Sequence, residues 1–319
     1  MANTANSMPS DTLSALATAK RLARGLDDIR AVDYGFAYDD GVRTERISIR
    51  FHMNRKRPLS GLPRDQRIPA KIGNIEVDVL QVGYAPHDGN ARSAQSILQP
   101  GISVGSIKLG TTGTLGAIIR DTTTQQLCVL SNWHVLCGGP EATANDPVSQ
   151  PGPIDQGGTA PREVAKLERW LRLSEQYDAA IARLDTGIET NGQLFGTSFR
   201  PTAIAAPELG ARLIKSGAVS GVTHGIVDGI AGSYRLDYTG FGDGPQWMAG
   251  FRLIPDPQAP ANALSLEGDS GSLWVDETGE RAIGLHFAGE DDQSPLNDYA
   301  LAHSIEDVFS RLYVSLAPG

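Results

Sequence analysis

The chain has 319 residues, 36 of them glycine and 19 proline, with 40% hydrophobic and 20% charged residues, a composition that provides for one large or two smaller cores joined by many turns, as in β-rich proteins. A net charge of −9 and no basic cluster beyond Arg55-Lys56-Arg57, one short turn before Pro58, exclude a nucleic-acid surface. No apolar run nears the roughly 18 residues of a membrane span, and the small, polar N-terminus lacks a leader's charged start and apolar core, which excludes a membrane partner and predicts a cytoplasmic protein.

Residues 1–9 read as disordered. Ser10-Asp11 caps a predicted helix that runs to about Gly25, with Leu13, Leu16, Ala17 and Leu22 on one side. Strands are predicted over 31–38 and 46–53, flanking the hairpin signal Asp39-Asp40-Gly41, and a third over 76–82 carries Val77, Val79 and Leu80. Residues 62–72 accommodate a short helix. Together these make a small α+β unit within residues 1–98. Residues 85–101, rich in Pro, Gly, Ser and Asn, read as a linker.

From about residue 102 the texture changes. Short apolar runs at 114–120, 127–131, 179–184, 211–215, 225–227, 250–253, 272–275 and 282–286 alternate with glycine-rich turns, the pattern of a sandwich or barrel. Ile305, Val308, Phe309 and Leu312 follow at helical spacing within 304–312. The only cysteines, Cys128 and Cys137, are too few for a disulfide framework or a structural zinc site. A bridge past His134 and two free thiols both fit them; in a reducing compartment free, partly buried thiols are expected. No metal or cofactor is expected.

Three motifs carry chemistry. In Gly268-Asp269-Ser270-Gly271-Ser272, two glycines let the backbone turn tightly, expose the serine hydroxyl and aim successive N–H groups at one point, as an oxyanion hole needs. An ordinary Gly/Ser turn has the same composition. A serine nucleophile requires a base, and Ser131-Asn132-Trp133-His134-Val135-Leu136 places a histidine just after an apolar strand. Tyr177-Asp178-Ala179-Ala180-Ile181-Ala182 places an aspartate at a strand entrance. Alone, the histidine is equally a structural residue and the aspartate a cap. In conjunction they run His, Asp, Ser with separations of 44 and 92 residues, the chymotrypsin order and not that of subtilisin or the α/β-hydrolases. Asp155 and Asp185 lack the strand-entry context.

On these pieces, with the strand at 114–120, the chain resembles the trypsin-like serine protease superfamily over about residues 102–312. The resemblance implies a mainly β fold, the double β-barrel of chymotrypsin with a C-terminal helix, preceded here by the α+β unit. The protease domain would span 99–319, with barrel one about 102–195, barrel two about 205–303 and the helix at 304–313. His134, Asp178 and Ser270 would form the triad: Ser270 attacks, His134 carries the proton, Asp178 orients the ring. The backbone N–H groups of Gly268 and Ser270 would form the oxyanion hole.

Residues 283–289 would wall the S1 pocket, with His286 and Ala288 lining it. The histidine is similar to that of bacterial glutamyl endopeptidases, where it recognises an acidic P1 side chain, and viral 3C-type proteases place one similarly for Gln or Glu. Ser265 could add a hydrogen bond, and Leu264 in the place of a trypsin-type aspartate argues against Arg or Lys at P1. A structural histidine in the pocket wall is the alternative. Two features depart from the family. Ile102-Ser103-Val104-Gly105 only faintly echoes an activation sequence whose new amino terminus would pair with Asp269. Residues 1–98 lie outside the protease fold, as a pro-segment, a regulatory or partner-binding module, or an extra layer; Narrow-leaf-type trypsin-like proteins, similar at Gly113-Thr114-Leu115-Gly116 and Asn132-Trp133-His134-Val135, also carry material there. The expected function is an endopeptidase acting on protein or peptide substrates, with a catalytically silent interaction module and a serine esterase as alternatives.

Overall fold

The computed structural model describes residues 8–26, 29–39, 42–53, 67–81, 93–157, 161–259, 263–289 and 298–317. In chain order the elements are α1 (Ser10–Arg24), β1 (Ile29–Asp39), β2 (Val42–Met53), β3 (Lys71–Ile72), β4 (Ile75–Gln81), β5 (Ser103–Ser106), β6 (Gly113–Thr114), β7 (Ala117–Asp121) and β8 (Leu127–Ser131). The short helix α2 (Trp133–Leu136), β9 (Pro147–Ser149), β10 (Glu163–Trp170) and β11 (Ala180–Leu184) complete the first half. The second contains β12 (Ala203–Ile204), β13 (Arg212–Gly217), β14 (Gly221–Asp237), β15 (Pro245–Pro255), β16 (Leu273–Asp276), β17 (Arg281–Gly289), β18 (Ala300–Ser304), α3 (Ile305–Leu312) and β19 (Val314–Leu316).

Two sheets hold nearly all of this. The first runs β19-β7-β8-β11-β10-β9-β5-β6, the second β13-β16-β17-β18-β15-β14-β1-β2-β4-β3. Pairing of β13 with β14 closes β13, β16, β17, β18, β15 and β14 into a ring, the second barrel. After α3 the chain returns to the first barrel, where β19 pairs with β7. The mainly β, double-barrel architecture with a C-terminal helix is therefore the one observed. Among the described residues no helix is long and apolar enough to cross a membrane.

The N-terminal strands are not a detached module. At 17 residues β14 is far longer than the predicted run at 225–227. Its outer half exceeds what the barrel uses and pairs with β1, Ala31 opposite Tyr234 and Gly35 opposite Gly229. Beyond it β2 pairs antiparallel with β1, and β4 parallel with β2. Glycine is needed at both Gly35 and Gly229, because a Cβ at either would run into the Arg50 guanidinium crossing between the strands. One hydrophobic cluster joins Leu16, Ala19 and Ala23 of α1 and Val32, Ile49 and Phe51 of β1 and β2 to Val227, Phe251, Leu253 and Trp274 of the second barrel.

Several expectations need correction. The buried face of α1 is Thr12, Ala15, Leu16, Ala19 and Ala23, with Ala17 exposed, because small side chains let the helix lie close on the sheet. Its N-cap is Pro9 without a side-chain cap bond, so Ser10 begins the helix instead of capping it. The described part of 62–72 is irregular chain and strand β3, not helix. The predicted strand at 114–120 is split, since Gly116 must pass so close to the Gly271 carbonyl that a Cβ would collide with it. β10 and β18 escaped prediction. Residues 1–7, the tip Asp40-Gly41, Arg55-Lys56-Arg57 and 85–92 of the linker lie outside the described residues. Both cysteines are free and buried.

Candidate active site

Strands β8 and β11 are antiparallel neighbours, with Ser131 opposite Ala180. The end of one and the start of the other thus lie side by side, and the loops there carry His134 and Asp178. Asn132 ties them together, its Nδ2 donating to the Asp178 carbonyl at 2.7 Å. His134 donates twice to the Asp178 carboxylate: its backbone N–H to Oδ1 at 3.1 Å and its ring Nδ1 to Oδ2 at 2.5 Å. Both residues are buried. Nε2, the nitrogen facing away from Asp178, has no hydrogen-bond partner among the described residues. That tautomer and orientation suit a general base with an unoccupied lone pair.

Burial would raise the Asp178 carboxyl, but the facing His134 and the Tyr238 hydroxyl outweigh it and hold it below the usual carboxylate range. Tyr238 Oη donates to Oδ2 at 2.7 Å. On the main-chain side, the Asp178 N–H donates to Nε2 of His303 at 2.9 Å, while Nδ1 of His303 reaches the Ala249 carbonyl at 2.6 Å. His303 is therefore neutral with the proton on Nδ1, and burial pushes it down to about 4. Sequence reasoning missed both Tyr238 and His303; they lie 60 and 125 residues from Asp178 and carry no local motif.

The serine arm comes from the second barrel. Thr114 N–H donates to the Ser270 carbonyl at 2.7 Å, and Gly113 is wedged between that carbonyl and Val135, next to His134. The turn ahead of Ser270 is tight: Asp269 N–H donates to the Leu266 carbonyl at 3.0 Å, with Gly268 in the left-handed region at φ +100°. This conformation favours glycine. Thr114 Oγ1 donates to the Gly268 carbonyl at 2.7 Å, which sets the orientation of the following peptide.

Asp269 is the anchor. Its Oδ2 accepts from Lys215 Nζ at 2.7 Å and Leu266 N–H at 3.0 Å, and Oδ1 accepts the Val219 and Ser220 N–H groups, each at 3.0 Å. Both side chains of the ion pair are closed to solvent. Burial opposes the Asp269 charge, but Lys215 and these donors hold the carboxyl well below the usual range. An amino terminus created at Ile102 would have to displace Lys215 to pair with Asp269. Lys215 already fills that place, and Ile102 is buried in the chain with its carbonyl bonded to Leu115. A lysine within the apolar strand Leu213-Ile214-Lys215 was the available signal.

The predicted specificity residues are less fully joined. His286 is buried on β17 directly beside the turn, its N–H donating to the Ser272 carbonyl and its carbonyl accepting from Gly271, both at 2.9 Å. The ring meets Trp274 edge-on at 6.4 Å. Ala288 is buried just past a bulge in the β17–β18 ladder. Ser265 is buried with no partner for its hydroxyl among the described residues. Asp155 sits in the 3-10 turn Pro153–Gln156 and Asp185 follows β11.

No protein-family model and no curated protein matches the chain. Solved structures do. Protease A of Thermobifida fusca matches over 70% of this chain and all of its own, at 17% identity and TM-score 0.50. A Nocardiopsis protease matches over 69% of this chain and all of its own at 14% identity and TM-score 0.50. A glutamic acid-specific serine protease that uses a histidine triad in substrate binding matches over 69% and 100% at 20% identity and TM-score 0.50. The fold is thus that of the chymotrypsin-like serine proteases.

Proposed function

We propose that the protein is a serine endopeptidase in which Ser270 attacks the substrate carbonyl, His134 takes its proton through Nε2 and returns it to the leaving amine, and Asp178 orients the ring and stabilises the imidazolium. The Gly268 and Ser270 N–H groups hold the oxyanion. The observation that carries this reading is the His134–Asp178 pair: a buried carboxylate fixes Nδ1 at 2.5 Å while Nε2, itself buried, has no hydrogen-bond partner among the described residues.

Within this reading the P1 preference is for an acidic side chain. His286 flanks the Gly268–Ser272 turn through two backbone hydrogen bonds, Ser265 offers a hydroxyl, and one protein of the same fold is specific for glutamic acid. Trp274 meets the His286 ring edge-on, and recognition would rest on His286 with Ser265. The N-terminal strands we assign as an integral layer of the enzyme, since they share its sheet and core.

One experiment tests the chemistry and the pocket together: a peptide-library cleavage profile with fluorophosphonate labelling of wild type, Ser270→Ala and His286→Ala. Wild type should label and cleave after Glu, less well after Gln. Ser270→Ala should do neither, and His286→Ala should label but lose the Glu preference. Wild type that never labels defeats the enzyme reading; cleavage mainly after Arg or Leu defeats the pocket reading alone.

A further inference from the structure

We infer that Tyr238, from the tip of the β14–β15 hairpin, is a positioning residue for Asp178: its hydroxyl fixes the carboxylate in the orientation from which it holds His134. The inference rests on the triad reading above and adds to it a residue that the sequence did not single out.

The geometry is specific. Oδ2 of Asp178 accepts two hydrogen bonds, from His134 Nδ1 at 2.5 Å and from Tyr238 Oη at 2.7 Å, while Oδ1 accepts the His134 N–H at 3.1 Å. A buried carboxylate needs such donors to stay ionised, and three of them from two directions leave it one orientation. The phenol is held as firmly as its partner. Tyr238 is fully buried, with Trp133 edge-on at 6.5 Å and Phe241 at 6.2 Å. Its backbone organises the hairpin tip: its N–H donates to the Gly244 carbonyl, and its carbonyl accepts from Phe241 and Asp243. Burial first, and then Asp178, push the phenol well above its usual range, so it remains a donor wherever the enzyme would work.

The donor comes from the β14–β15 hairpin. Next to His286 on β17 stands Phe287, stacked on the His303 ring at 4.0 Å and 13°. Phe287 carries no donor, and its ring packs on the histidine that accepts the Asp178 N–H. The stem of that hairpin is the part of β14 that pairs with β1. The N-terminal layer therefore holds the strand that leads into Tyr238.

The test is Tyr238→Phe in the full-length protein, which keeps the ring and deletes one hydroxyl. We expect kcat to fall roughly 10- to 100-fold with KM changed by less than about twofold. The acid limb of kcat/KM should move to higher pH, because a carboxylate relieved of one donor stabilises an imidazolium more strongly. The low-field proton resonance of the His134–Asp178 hydrogen bond should also move. Replacing Tyr238 with 3-fluorotyrosine, a stronger donor, should shift the acid limb the other way. Tyr234→Phe, in β14, whose hydroxyl donates to Asp33 of β1 at 3.1 Å, serves as the control: it should lower stability without moving the limb. An unchanged kcat, limb and resonance in Tyr238→Phe overturns the inference while wild type still labels. A wild type that does not label defeats the enzyme reading instead, and the proton resonance then decides Tyr238 by itself.

Discussion

Lys215 and Asp269 meet at the Gly268–Ser272 turn, whereas Asp33, Arg50, His52, Asp228 and Arg252 meet across the β1–β14 seam, and every one of these side chains is closed to solvent. The first site is a single ion pair whose carboxylate also takes three backbone N–H groups. The second is a chain of charges. Arg50 grips both oxygens of Asp33 at 2.6 Å and reaches Asp228 at 2.7 Å; Asp228 also takes Arg252, whose guanidinium lies 3.3 Å from the Tyr299 ring centroid. Each partner of that seam brings its own opposite charge, Asp33 with Arg50 and Asp228 with Arg252. Buried pairs contribute little net stability against desolvation, but a charge left alone is costly. The pair at the Gly268–Ser272 turn thus shapes a local loop, while the seam fixes how two layers register.

The sharpest way to break that contrast is Arg50→Met, which leaves Asp33 and Asp228 facing each other across the seam. We expect a loss of about 3–5 kcal/mol, read as a fall in the denaturation midpoint, with Ser270 labelling lost in step with unfolding if the layer is integral. A soluble, cooperatively folded variant with full or raised activity would instead mark residues 1–98 as separable or inhibitory.

Lys215→Met should cost less stability, about 2 kcal/mol, because three N–H donors still hold Asp269. Its activity should fall roughly 100-fold as the turn that presents Gly268 and Ser270 loosens. Near wild-type activity would mean that the backbone donors alone suffice.

The smallest effect is the response to pH, which separates the histidines from the carboxylates. Burial depresses His303 to about 4 from an ordinary 6.5, and depresses His52 as well. Below pH 6.5 the unfolded chain takes up protons that the folded one refuses, so stability should decline steadily from 6.5 toward 4. Asp33 and Asp269 lie well below their ordinary 3.8 in the fold, burial being outweighed by Arg50 and Lys215. Their stabilisation is present above about 3.8 and is lost as pH falls below it. Thermal melts between pH 8 and 3 should therefore show two declines, and a flat midpoint from 6.5 to 4 would show that His303 is not held neutral.

The barrel texture, the strand at 127–131, the C-terminal helix and the histidine and aspartate that meet in the site were all legible in the sequence. Each is written in a few consecutive residues, where side-chain period, glycine placement and strand entry act locally. The length of β14, the merging of the N-terminal strands into the second sheet, and the partners Lys215, Tyr238 and His303 were not. Nothing in Lys215 points to a carboxylate 54 residues away, nor in Tyr238 to one 60 residues back. A buried charge acquires its partner only when strands from distant parts of the chain are brought to one place, and that choice is made by sheet order and packing.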